Sequence, residues 1–364
     1  MNSGQIYSAI FLYSVIILTV ITATNLTSKS FSVIRRGANN SLFALILCMA
    51  FSLWLGYRPP TYEFGDTGNY AYVFRMLKNG EFGKELWTND VLWNVFTASC
   101  AKIMSVSTYF TIIDVGYFGF TFLACKLLVR NNVLAAVLFM FGALSFFSYA
   151  TNGIRNGLAC SIVLFVIALY SINKKYSIFA IALAIIALNI HKSTIIPLAS
   201  LFLSAYIIRS FKWAYSFWIL SIIISLTAGG FLTPLFAGLG FDDRLSYLTT
   251  VASNKFSRTG FRWDFLIYSM MPIILGYYIV IKRGIKDNTY LLLLNTYTIA
   301  NAIWVMVIRA NYSNRLAYLS WFMYPLVLAY PLFKLDIWSD SQGKIASRIM
   351  LANVGFTWLM ITFF

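Results

Sequence analysis

Long apolar runs recur from one end of this chain to the other, and few folds can accept them. Runs long enough to span a hydrocarbon layer, at about 17–25 residues each, fall near 5–23, 41–57, 108–128, 132–150, 154–172, 176–191, 193–208, 213–230, 263–281, 289–308, 316–333 and 347–363. A shorter run lies near 90–105. Soluble domains carry roughly 25% charged residues, whereas this chain is 11% charged and 60% hydrophobic. A transmembrane barrel would show short alternating segments instead. The fold class is therefore all-α: a polytopic integral membrane protein of about twelve transmembrane helices. It reads as a single integral membrane domain over 1–364, with no internal repeat and no low-complexity tract. The first run has no basic stretch before it and no clear small-residue cleavage site, so it is expected to stay as a helix.

Two further function classes fall away. Cys48, Cys100, Cys125 and Cys160 lie in or beside apolar runs, in no metal-ligand or CxxC spacing, and read as buried thiols. The net charge of +16 could announce a nucleic-acid binder. The basic residues, however, stand singly at the ends of apolar runs, with no basic tract interleaved with aromatics that would track a phosphate backbone. Neither nucleic acid nor a metal or other cofactor is called for.

The basic residues set the orientation instead. Lys29, Arg35 and Arg36 place the first loop in the cytoplasm, as do Lys174 and Lys175, Arg209 and Lys212, Lys282, Arg283 and Lys286, and Lys334, Lys344 and Arg348 for later loops. If all thirteen runs crossed, the alternation would break between residues 57 and 130. It is restored if the run at 90–105, which contains Asn94, Thr97, Ser99 and Lys102, lies at the outer surface as an interfacial or re-entrant helix. Twelve crossings remain, both termini are outside, and the outer segments cover about 58–107 and 231–262. Four cations then break the positive-inside rule, because Arg155, Lys192, Arg309 and Arg315 sit in short outer turns.

Those turns share a pattern. Asn152-Gly153-Ile154-Arg155, Asn311-Tyr312-Ser313-Asn314-Arg315 and Asn189-Ile190-His191-Lys192-Ser193-Thr194 each open a helix that runs inward, with Ser193 and Thr194 as cap candidates. A helix N-terminus offers free amides and partial positive charge to an anion, and arginine adds bidentate phosphate geometry. One outer arginine ordinarily snorkels to the interface; three such turns with the only histidine of the chain point to a diphosphate. Facing them is Gly56–Tyr70, a polar, turn-rich stretch in which Pro59-Pro60 stops the preceding helix and Gly65 and Gly68 flank Asp66. The aromatic residues mostly read as lipid-facing or interfacial, with Tyr70, Tyr149 and Tyr312 as candidates to contact sugars.

The order of these pieces resembles the EpsG-like branch of the Wzy-type bacterial polysaccharide polymerases. The matching segments are Tyr57-Arg58, Asp66 and Tyr70; Asn152-Gly-Ile-Arg155-Asn-Gly-Leu-Ala; Ile190-His191-Lys192-Ser193; and Asn314-Arg315-Leu-Ala-Tyr-Leu, followed by Tyr324-Pro325. Together they cover most of the chain. The resemblance implies a GT-C-like, metal-independent, inverting glycosyltransferase of the bacterial inner membrane with its active site facing the periplasm. Such an enzyme joins undecaprenyl-diphosphate-linked oligosaccharides, as donor and acceptor, into O-antigen, capsule or exopolysaccharide, beside a chain-length regulator and a flippase of the same pathway. In that frame Arg155, Arg309 and Arg315 bind the diphosphate, with Arg58 and Lys192 as supporting cations. Asp66 is the first candidate for general base, and His191 is the second, or a diphosphate ligand when protonated. Three other classes compete: a lipid-linked oligosaccharide flippase, a membrane O-acyltransferase and an O-antigen ligase. A flippase would place charges near mid-membrane. An acyltransferase would need an early histidine near an Arg-Gly motif, and Arg36-Gly37 has no such partner. A ligase usually has a larger late outer loop than 231–262.

Overall fold

A computed structural model describes residues 2–37, 40–81, 90–173, 177–237 and 260–363. Lys174, Lys175 and most of the 231–262 stretch lie outside them. All regular secondary structure among the described residues is helical, and each of the twelve long apolar runs is carried on helix. Among the described residues, seven helices are long and apolar enough to cross a membrane: Ser3–Thr27, Val106–Val129, Ile154–Ile172, Phe211–Phe231, Trp263–Lys282, Asn314–Lys334 and Ser339–Phe363. Shorter apolar helices cover Ser41–Gly56, Val91–Ile103, Ser177–Ile190 and Lys192–Ile207. The chain is thus a multi-pass membrane protein, and the 90–105 run is a helix of its own.

The chain divides into two compact units, residues 1–191 with 329–364, and residues 192–328. In the first, α1 (Ser3–Thr27), α2 (Phe31–Arg35), α3 (Ser41–Gly56), α4 (Thr67–Lys78), α5 (Val91–Ile103), α6 (Val106–Val129), α7 (Val133–Phe141), α8 (Phe146–Thr151), α9 (Ile154–Ile172) and α10 (Ser177–Ile190) follow in order. The α17 helix (Gln342–Phe363) returns to pack along α1. Between apolar helices in lipid, close approach and hydrogen bonds replace the hydrophobic drive. At the α1–α17 crossing a Cβ on Gly343 would stand 2.0 Å from the Leu26 carbonyl oxygen, and the Ser347 hydroxyl donates to the Ala23 carbonyl at 2.6 Å.

Hydrogen bonds sort this unit into two ends. At one end, Gly343 N–H donates to the Lys29 carbonyl at 3.0 Å, and the Asn131 and Asn132 side chains donate to the carbonyls of Arg35 and Ile34 at 2.8 and 2.9 Å. Lys29, Arg35, Arg36 and Arg130 therefore share that end. At the other, the Ser3 amide donates to Glu63 Oε2 at 2.9 Å, and Gly56 lies against Thr111, where a Cβ would come within 2.5 Å of the Thr111 Cα. The chain leaves α3 and enters α6 at this same end. In between, α4 and α5 converge on Tyr109, early in α6: Phe74 at 5.0 Å, Phe96 at 5.8 Å and Trp93 at 6.1 Å between ring centroids, with Thr97 hydrogen-bonded to the Tyr109 hydroxyl at 2.8 Å.

The second unit holds α11 (Ile195–Phe202), α12 (Phe211–Ala237), α13 (Trp263–Gly276), α14 (Asn288–Met306), α15 (Asn314–Trp321) and the start of α16 (Tyr324–Lys334). Its centre is α14, a 19-residue helix bearing buried Asn295, Thr296, Thr298 and Asn301. These side chains bind neighbouring elements. Asn301 accepts from Trp218 Nε1 at 2.8 Å and donates to the Ser320 hydroxyl at 3.0 Å. Asn295 donates to the Ile208 and Arg209 carbonyls at 3.2 and 3.0 Å, where a π-helical turn at Leu203–Ile207 ends and carbonyls need donors.

Candidate functional site

The first unit gathers most of the candidate residues at the Ser3–Glu63 end. Pro59-Pro60 ends α3 just past Arg58, so the Arg58 side chain turns inward, where it is fully buried. Its Nη1 donates to Asp114 Oδ2 at 2.7 Å and to the Leu55 carbonyl at 2.8 Å; its Nε donates to Thr67 Oγ1 at 3.2 Å and its Nη2 to the Thr151 carbonyl at 3.4 Å. Thr67 in turn donates to that Thr151 carbonyl. Leu55 and Thr151 lie at the C-terminal ends of α3 and α8, where carbonyls lack helical partners and the dipole is negative. Arg58 therefore neutralises Asp114 and ties two helix ends to the start of α4. The sequence reading makes Arg58 a supporting cation for the diphosphate; the structure encloses it between Asp114 and backbone.

Asp66 follows a tight turn on the same tie. Gly65 has φ +63°, the left-handed region that favours glycine, and a Cβ there would stand 2.4 Å from Asn152 Oδ1. The Asp66 amide donates to that same Asn152 oxygen at 2.7 Å. The loop thus rests on the turn that opens α9, three residues before Arg155. Asp66 stands at the N-cap position of α4, but its carboxylate makes no capping bond there; Asn69 Nδ2 donates to it at 3.3 Å. The carboxyl is half-buried.

Arg155 is buried at the first turn of α9, whose N-cap residue, Gly153, has no side chain to cap it. Its Nη1 donates to Asp90 Oδ2 at 2.5 Å. Asp90 precedes α5, and Trp93 one turn on lies edge-to-face with half-buried Tyr70 at 5.8 Å. Tyr149 lies over Gly153, whose added Cβ would meet its ring at 2.7 Å. His191 ends α10, which packs back along α9 and so brings the buried imidazole to the Arg155 end. Asp66, Tyr70, Tyr149, Arg155 and His191 therefore share one end of one unit.

Lys192, Arg309, Arg315 and Tyr312 belong to the second unit. Lys192 is exposed in a 3-10 turn before α11, and Thr194, at the N-cap position, makes no capping bond through its side chain. Arg309 is exposed; its Nη2 donates to the Leu226 carbonyl at 3.5 Å, and its guanidinium stands 5.8 Å from the Phe261 ring. Exposed Arg315 lies 5.4 Å from the ring of Tyr312, which takes a left-handed φ of +51°. The side chain of Ser313, at the N-cap position of α15, makes no capping bond either.

Sequence reasoning missed Asp90, Asp114 and Thr67, and it marked Asn152 only as part of the turn that opens α9. Asp114 carried a signal, since a lone acid within an apolar helix needs a partner. Asp90, at the edge of the weakest apolar run, carried none.

Residues 41–363 match the profile of the EpsG family. Searches of curated proteins and of solved structures find no match to the chain. The profile spans nearly the whole chain, including every candidate residue and the helices that carry them, and the chain therefore belongs to the EpsG family, whose members are related to the Wzy-type polymerases.

Proposed function

We propose that this chain is a polysaccharide polymerase that joins undecaprenyl-diphosphate-linked repeat units at the outer face of the bacterial inner membrane, by inverting glycosyl transfer in a GT-C-like frame of twelve crossings. One observation carries the reading: the Asp66 loop is docked on the turn that opens α9, so a half-buried carboxylate outside any ion pair and a buried arginine flank one helix start whose N-cap is a glycine. Family membership supplies the class, and this juxtaposition supplies the chemistry. The donor arrives activated, because its leaving group is a diphosphate. Arg155, with the first-turn amides of α9, offsets the charge that develops on that group. Asp66 takes the proton of an acceptor hydroxyl, which attacks the anomeric carbon opposite the departing diphosphate and inverts it. His191 is the alternative base or a diphosphate ligand. Tyr70, Tyr149 and Tyr312 offer ring faces to sugars.

The charge deep within the first unit bears on the flippase alternative. Arg58 and Asp114 are a closed pair, buried on both sides and neutral together, and so line no passage for a solute. In the host, Asp66→Asn and Arg155→Ala are expected to leave the protein inserted while surface polysaccharide collapses to single-repeat products on a gel. Losing an electrostatic donor of this kind costs roughly 10²–10³ in rate. Normal long chains from a well-expressed Arg155→Ala variant would sink the assignment. Trapping of lipid-linked units on the cytoplasmic side would indicate a flippase.

A further inference from the structure

Arginine stays charged in any protein environment, so a buried guanidinium needs an anion beside it. For Arg155 that anion is Asp90, at 2.5 Å and almost as deeply buried. Three features of the pair are unusual for a purely structural bridge. Asp90 stands at the N-cap position of α5, where aspartate ordinarily accepts from the helix's own amides, yet it makes no such side-chain bond. It holds φ +53°, a left-handed conformation that costs a non-glycine residue energy and persists where the surroundings demand it. And the bridge uses only Nη1, leaving the buried Arg155 Nε without an acceptor. The Nε–Nη2 edge, one of the two with which arginine matches two oxygens of a carboxylate or phosphate, is therefore left unused by the bridge.

We propose that Asp90 is a positioning residue for the diphosphate: it holds Arg155 aimed and charge-balanced, and hands Nη1 over to one phosphate oxygen while another takes the free Nε. The inference rests on Arg155 being a diphosphate ligand. Handover makes binding an exchange of one anion for another, so the buried site never carries a bare positive charge. It also weakens the hold on the diphosphate, because Asp90 competes for the same donor, and that favours release after transfer. The carboxylate moves away from Arg155 as the phosphate arrives, and the start of α5 loses its tie to α9.

Binding of inorganic diphosphate to the purified full-length protein in detergent tests this, with Asp90→Asn, Arg155→Gln and wild type compared at two salt concentrations. The expected result is about tenfold tighter binding for Asp90→Asn with a steeper salt dependence, and loss of binding for Arg155→Gln. In the host, Asp90→Asn should shorten chains although it binds the anion more tightly. Unchanged affinity in a folded Asp90→Asn, with binding still lost in Arg155→Gln, overturns the handover and leaves the site in place. Undiminished binding by Arg155→Gln overturns the site itself. Hydrogen exchange of wild type provides a reading that needs no variant: diphosphate should speed exchange of the amides at Val91–Trp93. Slowed or unchanged exchange there under saturating diphosphate overturns the handover.

Discussion

The Arg58–Asp114 pair allows a quantitative test of what holds the candidate site together. Arg58 has four acceptors, Asp114 at 2.7 Å, the Leu55 carbonyl at 2.8 Å, Thr67 at 3.2 Å and the Thr151 carbonyl at 3.4 Å, and neither charged side chain reaches solvent. Arg58→Met removes the cation and strands the Asp114 carboxylate in an apolar helix bundle; breaking a buried pair from one side costs roughly 3–5 kcal/mol. Asp114→Asn leaves the guanidinium its carbonyl and hydroxyl partners, so its cost belongs at the lower end, about 3 kcal/mol. Arg58→Met with Asp114→Leu removes both charges and leaves only the orphaned acceptors, at about 1 kcal/mol each, so the double variant should be more stable than Arg58→Met alone. The assay is unfolding by sodium dodecyl sulfate in mixed micelles, followed by circular dichroism and arranged as a double-mutant cycle. If Arg58→Met stays within about 1 kcal/mol of wild type, well below the cost of an unpaired buried charge, the tie is not what holds this end together. A double variant no more stable than Arg58→Met would equally refute the pairing argument.

Other expectations follow from single contacts. Gly65→Ala adds a Cβ at a left-handed φ, 2.4 Å from Asn152 Oδ1, and should detach the Asp66 loop from the α9 turn; chain length on gels should fall as for Asp66→Asn, and full-length product would refute the docking. Gly343→Val places its Cβ 2.0 Å from the Leu26 carbonyl oxygen and should separate α17 from α1. A cysteine pair across that crossing would then crosslink more slowly, and an unchanged rate would count against the packing. The Ser3 hydroxyl, and then the Ser3 and Gly4 amides, hold the Glu63 carboxyl below its ordinary range. A depressed folded pKa means the tie is present at neutral pH and is lost as the medium is acidified through that lowered value. Exchange of the Ser3 amide, corrected for its intrinsic pH dependence, should therefore accelerate in acid, and Glu63→Gln should show the fast rate already at neutral pH.

Gly65 and Gly68 around Asp66 marked a turn, and the turn exists with glycine where φ is positive. Asn152-Gly153-Ile154-Arg155 marked a helix start, and α9 starts there. The short run at 90–105 forms α5, and its Trp93, Phe96 and Thr97 gather on Tyr109 at the end where α3 stops. Arg58 looked like Arg309 and Arg315 in sequence, and burial separates it from them. An arginine beside an apolar run is written the same way whether it reaches for a ligand or for an acid 56 residues on.

The sequence by itself determined the class of fold, because twelve apolar runs with so few charges admit only helices in lipid, where every backbone amide must bond within its own segment. It also marked Arg58 and Arg155 as charges beside apolar runs. Tertiary structure alone decided what those charges face. Ion pairing is short-ranged and burial depends on packing, so the partners Asp114 for Arg58 and Asp90 for Arg155, and the seat of the Asp66 loop on Asn152, were set when α4, α5, α6, α8 and α9 closed on one another.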